Sequence, residues 1–182
     1  MESFLQNIAN KQNQYYAEHG KNTIFKKNQK QDCAEMICQT IGINELVRKT
    51  AYIIPETNKV YFDYTIFKTY ATIQHFEAIV DYTYSLCMEC LKSFDTYEVH
   101  VNLLSFTISA YDRYKDLINL FCNRCVGEFS TCPQSIQAMH IYNCPHVIDQ
   151  VAKLAKPMIS PLVSSRTHLH LKSEGLPSFI VV

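Results

Sequence analysis

Glycine is scarce in this chain, at four of 182 residues, and tryptophan is absent. Loops that cradle phosphate groups, and the sharp turn that presents a nucleophilic serine, both need glycine at fixed positions. Neither motif occurs in the sequence, and no HExxH zinc-protease helix occurs either. We therefore expect a protein that is not an enzyme and that carries no cofactor.

An excess of charge of one sign is also missing. Seventeen basic and seventeen acidic side chains cancel, so the net charge predicts no nucleic-acid partner. No apolar run approaches the roughly 20 residues that span a bilayer, and the N-terminal residues lack the apolar core of a signal peptide. With 47% hydrophobic residues to build one core, the composition predicts a cytoplasmic protein.

Apolar spacing divides the chain into helices and strands. Residues 1–50 have the pattern of a polar helical segment. In residues 51–182, stretches with the helical spacing of apolar residues alternate with stretches that have the strand spacing. The predicted strands are Lys59–Ile66, the stretch around Val99 and Val101, Met139–Tyr142 and Thr167–Leu171. The predicted helices are Ile73–Phe94, Ser109–Phe129 and His146–Ala155. This alternation predicts an α/β domain with a mostly parallel β-sheet covered by helices, preceded by a helical N-terminal segment.

Eight cysteines raise the question of disulfides or metal. Without a secretory signal, we expect reduced thiols. Two CxxC pairs, Cys87–Cys90 and Cys122–Cys125, have a spacing typical of zinc ligands. Both pairs fall within helical patterns, where positions i and i+3 share one buried face and cysteine packs as a small hydrophobic residue. We expect core packing and no metal site, with a zinc-stabilised helical module as the alternative.

Histidines also recur on the predicted strands. His168 and His170 alternate on one strand, and His140 lies on another, so a cluster across two strands is conceivable. No carboxylate is positioned beside them by the sequence. We expect these histidines to serve a structural role.

Four short motifs follow one another between Cys132 and Leu171. They are Cys132-Pro133-Gln134, Ile141-Tyr142-Asn143-Cys144-Pro145, Lys156-Pro157-Met158 and Ser165-Arg166-Thr167. Their order and spacing resemble the C-terminal half of CRAL-TRIO domains, the lipid-exchange fold of phosphatidylinositol-transfer and retinal- or tocopherol-binding proteins. A weaker likeness extends upstream to Val60.

The resemblance implies a pocket for one hydrophobic ligand, closed by a helix that opens at a membrane surface. The gate helix would be Pro145–Ala155, with the apolar stripe Val147, Val151, Leu154 and Ala155. The apolar wall would consist of sheet residues and the residues next to them: Val99, Val101, Leu103, Met139, Ile141 and Leu169. The expected partners are a phospholipid or another hydrophobic small molecule and, transiently, a membrane.

Two further positions bear on recognition of the lipid headgroup. Arg166 stands where phosphoinositide-binding members of the family have a lysine, and a guanidinium can bind phosphate bidentately. Gln134 stands where those members have a glutamate, so the acidic contact is replaced by an amide. The resemblance therefore predicts lipid binding without specifying phosphatidylinositol.

The alternative is a ligand-free scaffold of the same fold. Scaffold-type relatives that bind small GTPases and their regulators carry a Lys-Pro-Phe-Ile-Ser motif, and residues Lys156–Ser160 are close to it. This hypothesis predicts that aromatic side chains fill the pocket and that the partner is a protein.

Overall fold

The computed structural model describes residues 2–22, 24, 26–126 and 132–180. Its strands are β1 Ala51–Ile53, β2 Lys59–Asp63, β3 Tyr97–Asn102, β4 Ile136–Cys144 and β5 Thr167–Leu171. Its α-helices are α1 Glu2–His19, α2 Lys26–Ile41, α3 Ile43–Thr50, α4 Tyr64–Tyr70, α5 Phe76–Phe94, α6 Ile108–Val126, α7 Cys132–Ser135, α8 Ile148–Ala155 and α9 Pro161–Ser165. Short 3₁₀ turns at Ile73–His75 and Lys172–Glu174 complete the described elements.

The strands form one sheet in the order β1-β2-β3-β4-β5. β1 pairs with β2 in the antiparallel sense, and β2 to β5 run parallel. Parallel neighbours need long connections, and here each connection contains helix. The predicted fold class, a mostly parallel sheet with helices and a helical N-terminal part, is confirmed.

One face of the sheet is packed against helices, and we call it the helix-covered face. Its core cluster joins sheet residues to helix α5 and consists of Ala51, Val60, Leu86, Cys87, Cys90, Tyr97, Cys132 and Ile136. Because side chains alternate along a strand, their neighbours point to the opposite side, which we call the second face.

The N-terminal helices share a core with the rest of the protein. Ile8 of α1, Ile37 of α2 and Leu46 of α3 are fully buried in the same cluster as Tyr70 of α4 and Tyr114 of α6. Residues of the first three helices are therefore part of the main core.

The predicted strand Lys59–Ile66 is shorter than expected, because a helix begins inside it. Asp63 ends β2, and its carboxylate accepts hydrogen bonds from the Thr65 backbone N–H at 2.7 Å and the Thr65 hydroxyl at 2.6 Å. This is an N-cap, which stabilises the first turn of α4. The predicted alternation extends only over residues 64–66 of this helix, too few to distinguish a strand from a first helical turn.

The predicted helices agree with the structure to within a few residues at their ends. Ile73–Phe94 begins as a 3₁₀ turn before α5, and His146–Ala155 becomes helical at Ile148. The prediction Ser109–Phe129 corresponds to α6, and its last three residues lie outside the described residues.

Candidate functional site

The predicted apolar wall lies mainly on the helix-covered face of β3, β4 and β5. Val99 pairs with Met139, and both pack against the core cluster around α5. In the next row, Val101, Ile141 and Leu169 are direct neighbours across three strands. None of these three is buried, and Leu169 is 42% exposed. Val101 and Ile141 are half-buried, so this apolar row crosses three strands and is only partly covered.

Leu103 follows the end of β3 and packs against the main core instead. The structure thus places the predicted wall residues in two settings. Val99, Met139 and Leu103 are packed against core clusters. None of the residues in the row Val101, Ile141 and Leu169, which we call the open row, is buried.

Helix α8 carries the predicted apolar stripe. Val151 and Ala155 are buried in the main core, in one cluster with Tyr111 and Tyr114 of α6. Leu154 belongs to the same stripe but is 50% exposed. Val147 immediately precedes the helix and is half-buried. The stripe is therefore divided between contact with α6 and contact with solvent.

Aromatic rings occupy the core to which α8 contributes. The ring of Tyr64 lies 5.0 Å from that of Phe106, and the ring of Phe67 lies 4.7 Å from that of Tyr114. Phe76 contacts Tyr114 at 6.3 Å, and all five rings are buried. Edge-to-face packing of this kind fixes the rings in place.

Arg166 and Gln134 are brought together at the start of β4 and β5. The Arg166 Nη1 donates to the carbonyl oxygen of Gln134 at 3.0 Å and also to that of Ile136. The Gln134 side chain is exposed. The other guanidinium nitrogens of Arg166 make no hydrogen bond to the described part of the chain.

The second face carries a row of histidines that we call the histidine ladder: His100, His140 and His168. They are direct neighbours in the parallel register of β3, β4 and β5. Their ring centroids are 5.0 Å apart at each step, with interplanar angles of 14° and 21°. His170 stacks beside the ladder on the Tyr142 ring at 4.7 Å.

Hydrogen bonds connect the ladder to two carboxylates, one through His100 and the other through His140 and His170. His100 contacts the Tyr142 hydroxyl at 2.9 Å and the Glu98 carboxylate at 3.2 Å, and Glu98 forms an ion pair with Lys59. His140 Nδ1 lies 3.0 Å from His170 Nε2. On its other side, His170 Nδ1 lies 3.2 Å from the Glu174 carboxylate.

These surroundings shift the pKa values of His100, His140 and Glu98. Burial lowers the pKa of His100 to about 4, and burial followed by the neighbouring His168 and His170 lowers the pKa of His140. Burial raises the pKa of Glu98, but hydrogen bonds from Lys59 and His100 outweigh it and the pKa is lowered overall. At neutral pH the two imidazoles are therefore uncharged and Glu98 is ionised.

A cavity of about 320 Å³ lies on this second face. Its floor includes His100, His140, Tyr142 and His170, and its roof is formed by Gly175, Leu176, Pro177 and Phe179. His140 and His170 belong to the cluster that the sequence indicated, His170 through the alternation on β5 and His140 through its position on another strand. His100 and Tyr142 were missed, because only the strand register places them beside the others.

The cysteine pairs lie on helices, as the sequence predicts. Cys87 and Cys90 are buried on α5, and Cys122 and Cys125 are half-buried on α6. A hydrogen bond with Cys132, together with burial, raises the pKa of Cys87 well above its usual value. Among the residues that the structure describes, no group of three or more His, Cys, Asp or Glu side chains is arranged to hold a metal ion.

The fold is an α/β domain whose helix-covered face carries a partly exposed apolar row. A family model described as CRAL/TRIO domain matches residues 61–181, well over half of the chain. The protein therefore belongs to the CRAL/TRIO domain family, a family that binds lipids and other hydrophobic molecules. No curated protein matches the sequence. Within the described ranges, no helix combines the length and apolarity needed to cross a bilayer.

Proposed function

We propose that the protein binds one hydrophobic ligand, a phospholipid or a molecule of similar apolar length, between α8 and the helix-covered face of the sheet. The ligand exchanges at a membrane surface facing the cytoplasm when α8 moves away from α6. No covalent chemistry is involved, and the protein is not an enzyme.

The observation that carries this proposal is the row Val101, Ile141 and Leu169. The three side chains adjoin one another on the face that helices normally bury, yet none is buried. Covering such a row with an acyl chain would stabilise the complex by about 25 cal/mol for each Å² removed from water. A ligand chain would supply the packing that the protein itself leaves incomplete.

The attachment of α8 supports its role as the moving element. Its described contact with α6 rests on Val151 and Ala155, two side chains of modest size. It starts without a side-chain cap, and Pro145 and Pro157 lie close to its two ends. Short helices held by few apolar contacts are those that move at low cost.

Arg166 is our candidate for contact with a phosphate group. Its Nη1 is held by backbone carbonyls at the start of β4, so the guanidinium is fixed in position. The donors that remain on Nη2 and Nε can bind two phosphate oxygens. Gln134 lies beside it and offers an amide to a hydroxyl or carbonyl group of the headgroup.

A second candidate function is a ligand-free scaffold that binds a protein, such as a small GTPase or its regulator. The aromatic cluster around Tyr114 favours it, because buried rings already fill the core to which α8 contributes. This hypothesis and the first one make opposite predictions for lipid extraction.

Lipid binding can be tested with liposomes of defined composition. The protein is incubated with vesicles of phosphatidylcholine, or of phosphatidylcholine mixed with phosphatidylinositol. It is then re-isolated, and the mass of the intact protein with any bound lipid is measured by native mass spectrometry. In Arg166→Gln we expect uptake of the anionic lipid to fall about tenfold and uptake of phosphatidylcholine to change little. Arg48→Gln removes an exposed arginine of α3 and serves as the matched control.

Protein that carries no lipid from either vesicle would favour the scaffold. Equal loss of both lipids in Arg166→Gln would contradict only the headgroup role of Arg166. The lipid-binding proposal would then stand without a phosphate contact at this residue.

A further inference from the structure

The C-terminal segment, residues 172–180, covers the histidine ladder on the second face. Its Phe179 ring meets the His100 ring edge-on at 5.3 Å, and the Lys59 ammonium lies 5.6 Å from the centre of the same ring. At the other end, Glu174 accepts a hydrogen bond from the Leu171 backbone N–H at 2.7 Å. The segment is therefore attached through groups whose charge depends on pH.

Apolar contacts complete the attachment but are few. Ile180 is buried in a small cluster with Ile54, Tyr61 and Tyr142, and Leu176 packs against it. The cavity of about 320 Å³ lies under the segment, so the contact is incomplete. A segment held by so little buried apolar surface is expected to open at modest cost.

The charged and titratable groups that face the ladder come from four strands and the segment itself. They are Lys59 and Tyr61 of β2, Glu98 and His100 of β3, His140 and Tyr142 of β4, His168 and His170 of β5, and Glu174 of the segment. With neutral imidazoles, the two carboxylates outnumber the single ammonium. Protonation of two or more imidazoles reverses this balance and places like charges 5.0 Å apart.

The contact between His140 and His170 makes the closed arrangement especially sensitive to protonation. Their nitrogens lie 3.0 Å apart, a distance that accommodates one hydrogen between a donor and an acceptor. When both rings are protonated, each nitrogen carries a hydrogen and the contact becomes repulsive.

We propose that the histidine ladder and the C-terminal segment form an acid-released cover. Near neutral pH the segment stays closed over the second face. On mild acidification it leaves the ladder and exposes a sheet face of histidine and tyrosine side chains. This device is separate from the ligand cleft on the helix-covered face.

The direction of the pH dependence follows from the imidazoles. A solvated histidine has a pKa of about 6.5, whereas burial lowers the pKa of His100 to about 4 in the closed form. When the segment leaves, water returns and the pKa rises toward the solvated value. The open form then binds more protons between these limits. The free-energy preference for the closed form is therefore greatest above about pH 6.5 and decreases as the pH falls toward 4.

The absence of tryptophan allows a direct test. Phe179→Trp places a single indole on the His100 ring, and Phe94→Trp places one at the exposed end of α5 as the control. On titration from about pH 7.5 to about pH 5, we expect the emission of Trp at position 179 to shift toward that of an exposed indole. The emission at position 94 should stay constant.

Hydrogen exchange on the unmodified protein gives an independent measurement. We expect protection factors of amides in residues 172–180 to fall about tenfold or more over the same range, while α5 keeps its protection. His140→Gln removes a central ladder group and should move the release to lower pH, and His146→Gln, at an exposed histidine, should leave it unchanged. Unchanged protection of the segment at acid pH would overturn the proposal, as would release in His140→Gln at the unmodified protein's pH.

Discussion

Asp63 joins the end of β2 to α4 and β3 through one buried carboxylate. It caps α4 through Thr65, accepts a hydrogen bond from the Tyr61 hydroxyl at 3.2 Å, and lies 3.5 Å from the Asn102 amide nitrogen. We expect Asp63→Ala to lower the free energy of unfolding by about 2–4 kcal/mol, because the cap is lost and the Tyr61 hydroxyl loses the carboxylate that accepts its hydrogen bond. Urea denaturation followed by circular dichroism measures this change.

The matched control for Asp63 is Asp116→Ala, at an exposed position of α6. It should change stability by less than about 0.5 kcal/mol. Equal effects of the two substitutions would show that the carboxylate of Asp63 stabilises neither the cap nor the tyrosine.

The cysteines offer a second prediction at residue scale. A hydrogen bond with Cys132, followed by burial, raises the pKa of Cys87, and burial raises that of Cys90 to about 11. We therefore expect both thiols to resist iodoacetamide at about pH 8 in the folded protein and to react after denaturation. Peptide mapping by mass spectrometry, with the half-buried Cys122 as an internal comparison, reads out each site. Rapid labelling of Cys87 in the native state would contradict its buried placement.

Arg166 and Gln134 were chosen from sequence motifs, and their role in ligand binding stays a prediction. Arg166 and Gln134 come together because each stands at the start of a neighbouring parallel strand. The capping role of Asp63 was not predicted, since the same residue also continues the strand alternation of β2. His100 could not be assigned to the ladder because its partners lie about 40 and 70 residues further along the chain.

At the scale of elements, the buried and exposed side chains of α8 have different expected effects on stability and on the proposed ligand binding. Val151 is buried against α6 and Leu154 is half-exposed on the same stripe. We expect Val151→Ala to cost about 1–2 kcal/mol of folding stability through a small cavity. Leu154→Ala should cost less than about 0.5 kcal/mol but reduce uptake of a fluorescent phospholipid from vesicles.

The two α8 variants also serve as controls for each other. Thermal unfolding and lipid uptake are measured on the same preparations, so a general loss of structure would lower both. Normal uptake by Leu154→Ala would indicate that this part of the stripe does not touch the ligand.

Element types followed from periodicity wherever the segments were long. Helices α5 and α6 each span 19 residues, enough turns for their apolar spacing to be unambiguous. β1 has three residues and α4 has seven. Patterns that short do not distinguish strand from helix, which is why β1 was absent from the prediction and the first residues of α4, 64–66, were assigned to a strand.

For the whole molecule, the shared core makes the N-terminal helices part of the folding unit. Ile8, Ile37 and Leu46 are almost completely inaccessible and contact the same cluster as Tyr114. We expect a protein that lacks residues 1–50 to expose this cluster, bind the dye ANS and lose its cooperative thermal transition. A soluble fragment 51–182 with a sharp transition would show instead that the α/β domain folds alone.

The overall architecture was predictable because consecutive strands with helical connections permit few arrangements. What each face of the sheet carries was not predictable to the same degree. The helix-covered face follows from hydrophobic alternation, whereas the cavity on the second face depends on where residues 172–180 return to the sheet. That return is a tertiary contact with no local signal.

The most direct test of hydrophobic-ligand binding is native mass spectrometry of the purified protein with identification of any extracted lipid. Leu169→Asp alters the exposed end of the open row, and Leu104→Asp alters a similarly exposed leucine outside it. We predict one lipid bound to the unmodified protein and to Leu104→Asp, and little or none on Leu169→Asp. A stable protein that is free of lipid, and stays so after incubation with vesicles, would contradict ligand binding and favour the scaffold.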